Sequence, residues 1–193
     1  MRITALLSIA LIAAVFSSCG DGSSGERDDL LSLDSKTQDV NGAALWTDSE
    51  TGLTWQLEAS SAPLPWEDAE THCEALSIDG ALWRMPNIGE LRTLVRGCPA
   101  VTSGSDTCEI EPGGCLDNTC DDGDLCETCP FGKGPINNCY RPEEFLGACF
   151  TWYWSATETA KTEDRAWGMN FDGAYLQPGL KTIPQLVLCV SEQ

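Results

Sequence analysis

The sequence is poor in basic side chains and in histidine. Eleven lysines and arginines face 30 aspartates and glutamates, for a formal net charge of −19, and His72 is the one histidine. So acidic a surface repels phosphate backbones, which excludes nucleic-acid binding, and it disfavours anionic lipid surfaces and sulfated glycans. Cations, basic proteins and neutral glycans remain as partners. One histidine with no nucleophile motif makes no Ser-His-Asp set. A Gly-rich phosphate loop and a His-based metal motif are both missing. The chain is therefore not expected to be an enzyme. His72, beside the apolar stripe of a helix, reads as structural. The apolar run Ile3 to Phe16 is broken only by Thr4 and Ser8. As a helix it would reach about 21 Å, short of the roughly 30 Å hydrocarbon core, so it is no membrane span.

That run follows Met1-Arg2 and precedes Ser17 and Ser18, the layout of a signal peptide over residues 1–18. Phe16-Ser17-Ser18-Cys19 resembles a bacterial lipobox, with Phe16 where Leu, Val or Ile is preferred. The resemblance implies that Cys19 becomes the acylated N-terminus. Cleavage after Ser17, with Cys19 left as a thiol, is the alternative. There are 11 cysteines, and setting Cys19 aside leaves an even number that can close as disulfides after export. Several acyl chains on one cysteine anchor stably. Gly20 rather than Asp follows the cysteine, which favours the outer membrane or cell surface.

Residues 19–43 read as a tether. Six acids stand against Arg27 and Lys36, and only Leu30, Leu31, Leu33 and Val40 are apolar. The alternative for the stretch after Leu30 is an arm lying on the domain. The domain itself occupies residues 44–193. Ala44-Leu45-Trp46 and Leu53-Thr54-Trp55 flank a turn with Asp48, Ser49 and Gly52, predicting a β-hairpin. Pro65 opens a helix with Glu67 and Asp68 in its first turn, and Trp66, Ala69, Cys73 and Leu76 form its buried stripe. Trp83-Arg84-Met85-Pro86 is extended. Asn87 and Glu90 form a capping box for a second helix, which buries Ile88, Leu91, Leu94 and Val95 and stops at Gly97. Strands are expected over Thr151–Ser155, Ala166–Phe171 and Leu186–Val190. The fold class is α+β, with two helices and short antiparallel sheets.

The segments Trp46-x-Asp48-x-x-Thr51-Gly52-Leu53-Thr54-Trp55, Trp66-x-Asp68-Ala69-x-x-x-Cys73-x-x-Leu76, Trp83-Arg84-Met85-Pro86-Asn87-x-x-Glu90-Leu91, Tyr153-Trp154-Ser155-Ala156-Thr157 and Cys189-Val190 resemble the Lcl C-terminal domain family. That family is named for a bacterial collagen-like adhesin and is similar in fold to C-type lectin-like domains and sulfatase-modifying factors. The resemblance implies a C-type lectin-like domain whose first helix is tied to its last strand by a disulfide, here Cys73 to Cys189. It also points to a binding or adhesion role. The Glu-Pro-Asn or Gln-Pro-Asp and Trp-Asn-Asp sequences of calcium-dependent lectins are missing. The sulfated glycans linked with the collagen-like adhesin do not suit a chain of this charge.

Between Cys98 and Cys149 lies a disulfide-rich insert with few large apolar residues, so cross-links must order it. We expect Cys98 to pair with Cys149 across its neck. Cys108, Cys115, Cys120, Cys126, Cys129 and Cys139 then allow 15 connectivities. Cys115-x4-Cys120 with Cys126-x2-Cys129 also resembles a four-thiolate zinc site, which oxidising export disfavours. Asp117, Asn118, Asp121, Asp122, Asp124 and Glu127 are dense in oxygen ligands, and Asp117, Asp121, Asp122, Asp124 and Glu127 are a candidate calcium site. Their spacing is not that of an EF-hand, and a solvated acidic loop is the plainer reading.

Trp152, Trp154 and Trp167 are the candidate ligand-binding aromatics, although strand alternation also sends such side chains into a core. The expected function is that of a lipid-anchored envelope protein with a lectin-like, non-catalytic domain for a glycan or a protein. The alternatives are a structural envelope lipoprotein or, on the fold resemblance alone, an enzyme like the sulfatase-modifying factors.

Overall fold

The structure is a computed structural model. It describes residues 44–101, 128–160 and 162–192, and the backbone of 36–38. The leader, Cys19, most of the tether, Cys108, Cys115, Cys120, Cys126 and the candidate calcium loop Asp117–Glu127 lie outside the described residues.

The expected hairpin joins β2 (Ala44–Thr47) to β3 (Leu53–Gln56), with Trp46 directly opposite Trp55. Asp48 builds its turn. Its carboxylate accepts from the Glu50 amide at 3.0 Å and the Thr51 hydroxyl at 3.1 Å, and Gly52 takes a φ of 74°. A short polar side chain that bonds its own backbone two residues on is the usual nucleus of such a turn. Part of the segment read as tether adds an edge strand, β1 (Lys36–Gln38), to β2.

Helix α1 (Trp66–Glu74) starts after Pro65 and buries Trp66, Ala69 and Cys73, with Leu76 half-buried against the same cluster. After β4 (Trp83–Arg84), Asn87 and Glu90 cap α2 (Ile88–Thr93) reciprocally. The Glu90 amide donates to Asn87 Oδ1 at 2.9 Å, and the Asn87 amide to Glu90 Oε2 at 2.7 Å. Glu90 also accepts two hydrogen bonds from Arg84, which hold that guanidinium's pKa above its usual value. Ile88, Leu91, Leu94 and Val95 are buried as expected.

Among the described residues two antiparallel sheets result. One has the order β1-β2-β3-β8-β4, where β8 is Val190–Glu192. The other is β5 (Trp152–Glu158), β6 (Arg165–Asn170) and β7 (Tyr175–Leu180), in that order. The α+β class and the two helices are therefore present. The strand expected at Leu186–Val190 is regular only from Val190 onward. Before it, Leu186 exchanges hydrogen bonds with β5, while Cys189 already accepts from Gln56 at the end of β3. The segment passes from one sheet to the other and cannot follow a single ladder.

Cys73 and Cys189 are bonded, closing 116 residues of sequence. The pairing expected between Cys98 and Cys149 is corrected: Cys98 bonds Cys129, and Cys149 bonds Cys139. The reason lies in the second half of the insert, which packs as part of the core. Amides of Cys129, Gly132 and Tyr140 donate to carbonyls of Gly173, Asp172 and Phe171. Tyr140 and Phe145 are buried, and Phe145 meets both Trp46 and Trp55 edge-on, with centroids 5.7 and 6.2 Å away. Such contacts contribute about 0.5–1.5 kcal/mol each beyond area burial. Cross-links are thus not the sole source of order there. With Cys129 bound to Cys98, the four-thiolate zinc set loses a member.

Candidate binding groove

Strand β5 presents Trp152 and Trp154 on one face of its sheet and Tyr153 on the other, because side chains alternate. The structure separates the three candidate tryptophans. Trp154 and Trp167 have no exposed surface, and only Trp152 reaches solvent. Trp167 lies in the main core with Tyr153, Met169 and Phe171. Trp154 packs with Trp66, Ala69 and Val187, and its indole N–H donates to the Leu64 carbonyl at 2.9 Å. Trp154 and Trp167 are therefore corrected to core residues.

What covers Trp154 and leaves Trp152 open is a short backbone pairing. Leu64 and Gln185 exchange hydrogen bonds of 2.7 and 2.9 Å. This sets Pro63 beside Pro184 and lays the Gln185 side chain on the sheet. The sheet accepts it because it has glycine at two places. A Cβ on Gly168 would stand 2.9 Å from Gln185 Oε1, and one on Gly179 would stand 2.7 Å from Nε2.

The result is a groove of about 310 Å³ along the open part of that sheet face. Trp152 and Thr151 line it on one side, Gln177, Pro178 and Gly179 of β7 on another, and Pro63, Ile183, Pro184 and Gln185 complete it. Beyond the groove Trp152 meets Tyr175 edge-on at 5.6 Å, and Tyr175 meets Phe131 at 6.4 Å. Phe131 and Ile183 are exposed. The volume lies at the small end of ligand clefts, which run from roughly 300 to 1,000 Å³. It suits one ring-sized group with an apolar face.

Every described residue lining the groove is uncharged, on a chain of net charge −19. The polar groups on offer are the amides of Gln177 and Gln185 and the Thr151 hydroxyl. Gln185 Oε1 is buried with no hydrogen-bond partner among the described residues. The amide therefore loses no bond from that oxygen when it turns toward a ligand, and an unpaired buried carbonyl gains by meeting a donor.

Sequence reasoning named Trp152 but not Gln177, Gln185 or Tyr175. His72 is half-buried, and its Nε2 has no partner among the described residues. It does not line the groove. Among the described residues no group of three or more His, Cys, Asp or Glu side chains is arranged to hold a metal ion. No helix among them is long and apolar enough to cross a membrane.

The family model of the Lcl C-terminal domain matches residues 44–191. Among curated proteins and among solved structures, none matches the chain.

Proposed function

This chain belongs to the Lcl C-terminal domain family, and we propose on that footing that it is a lipid-anchored envelope protein whose lectin-like domain binds an uncharged ligand, without catalysis, in the Trp152 groove. The observation that carries the reading is the lining of that groove. An indole face, two amides and a hydroxyl stand together, and none of the described residues lining the groove is charged. An aromatic face takes the C–H face of a ring, and amides take its hydroxyl groups. Neutral saccharides combine both features. Sulfated glycans and nucleic acids meet the repulsion of the whole chain.

Export is supported by the leader, by Cys19 in its lipobox-like setting and by the disulfides, which persist in oxidising compartments. The anchor holds the domain at the membrane surface, where one weak site per molecule gains from display in many copies.

A glycan array tests the reading. The chain from residue 20 onward, secreted into an oxidising compartment and shown to be free of thiols, is applied with calcium and then with EDTA. Binding to neutral glycans that survives EDTA is the expected result. Binding that EDTA abolishes would move the site to the Asp117–Glu127 loop. Silence of the folded protein on both arrays would leave a protein partner or a structural envelope role in its place. Labelling of Cys19 by a fatty-acid analogue in the producing bacterium tests the anchor.

A further inference from the structure

A second cavity, of about 400 Å³, lies under the loop closed by Cys139 and Cys149, and none of the described residues lines both it and the Trp152 groove. Its chemistry is different. Arg141 lines it and is only 4% exposed. The guanidinium donates to the Tyr153 hydroxyl at 3.4 Å and to the Gly147 carbonyl. A guanidinium carries five N–H donors in a fixed fork, so most of its capacity is unused. Among the described residues no carboxylate forms an ion pair with it. Acids outnumber bases 30 to 11 in this chain, so the missing partner is not a matter of supply. A buried cation without an anion is costly to keep.

The surroundings specify more. Phe145 forms the inner wall, and Leu146 and Phe150 stand at the rim 53% and 74% exposed. Glu143 also lines the cavity but is exposed. We infer that this cavity binds a carboxylate carried on an apolar group, such as the C-terminal residue of a peptide, with the carboxylate on Arg141 and the apolar part on Leu146 and Phe150. The planar fork of Arg141 matches a carboxylate in two parallel hydrogen bonds. The net charge of the chain opposes anions at long range. At about 0.15 M salt the Debye length is roughly 8 Å, so the local pair outweighs that field.

The test compares two probes that differ in the carboxylate alone, N-acetyl-L-phenylalanine and N-acetyl-L-phenylalaninamide, titrated calorimetrically into the mature chain at physiological salt. The acid is expected to bind at least about tenfold more tightly than the amide, the size of a hydrogen-bonded charge contact. Arg141→Gln is expected to remove that preference. Leu146→Asp changes an exposed side chain and keeps the fold. It is expected to weaken binding of the acid about tenfold by like-charge repulsion. Trp152→Ala is expected to leave both titrations unchanged. Equal binding of acid and amide, no binding of either, or a Leu146→Asp protein that binds the acid as the parent does would overturn the inference.

Discussion

Trp152 and Tyr175 meet edge to face with ring centroids 5.6 Å apart, across the width of a three-stranded sheet. Both residues stand opposite Asn170 of the central strand, one on each side of it. The pair marks where the sheet face becomes open, since the next residue of that face on β5, Trp154, is sealed. Removing one or the other tryptophan should therefore have different consequences. Trp154→Ala is expected to cost about 3–5 kcal/mol, as large-to-small changes in a closed core do. Trp152→Ala, half-exposed, is expected to cost at most about 1–2 kcal/mol. Denaturant unfolding of the two variants checks this, and equal losses would show that both rings are core.

Tyr153 lies on the opposite face, buried in the main core. Its hydroxyl donates to the Ala148 carbonyl at 2.8 Å. Burial raises its pKa above the ordinary 10.0, outweighing the neighbouring Arg141, which lowers it. The phenol therefore ionises earlier in the unfolded chain than in the folded one. Its contribution is complete below pH 10.0 and is lost as pH rises through the folded value. Tyr153→Phe is expected to cost about 1 kcal/mol at neutral pH. The gap between parent and variant should narrow above pH 10.0, measured by unfolding at a series of alkaline pH values. A constant gap would contradict the burial.

Gly134 faces the backbone of Cys139 and Tyr140. A Cβ there would lie 2.0 Å from the Cys139 carbonyl carbon and 2.5 Å from the Tyr140 nitrogen. Backbone atoms held by a disulfide and by the Phe171 carbonyl cannot step aside. Gly134→Ala is expected to destabilise by about 3 kcal/mol or more, at the upper end of overpacking penalties. Thermal unfolding of the variant reads this. A loss under about 1 kcal/mol would mean that the segment is not packed as described.

The disulfides differ in the chain they close. Cys73–Cys189 spans 116 residues and Cys139–Cys149 spans 10. Loop-closure entropy gives the first about 4–5 kcal/mol and the second about 3. Replacing each pair by alanine, with the other bonds intact, should lower the denaturant midpoint more for the long link. The reverse order would show that strain or packing at the cysteines outweighs chain entropy.

Much of the local structure was legible because single residues determine it. Asp48 and Gly52 fix the first turn, Asn87 and Glu90 fix a helix start, and Trp66, Ala69 and Cys73 share one helical face. Strand β7 was not legible, because Pro178-Gly179 reads as a turn. It tolerates the proline because it is an edge strand. The groove was half legible. Trp152 and Trp154 occupy the same face two residues apart, so alternation along the strand cannot distinguish them. The distinction comes from Leu64 and Gln185, more than a hundred residues apart in sequence, which pair over one ring and not the other. Cysteine connectivity was illegible for a similar reason. It depends on the packing of Tyr140 and Phe145, which spacing does not encode.

The central claim is that an uncharged ligand is bound on Trp152. The measurement that tests it most directly is calorimetric titration of parent and Trp152→Ala proteins with neutral oligosaccharides taken from the array, in EDTA. Binding by the parent that falls at least about tenfold in a variant still fully folded at the titration temperature is the expected result, matching the loss of one stacking platform. Undiminished binding by Trp152→Ala, or no binding of any neutral oligosaccharide by the folded parent, would contradict it.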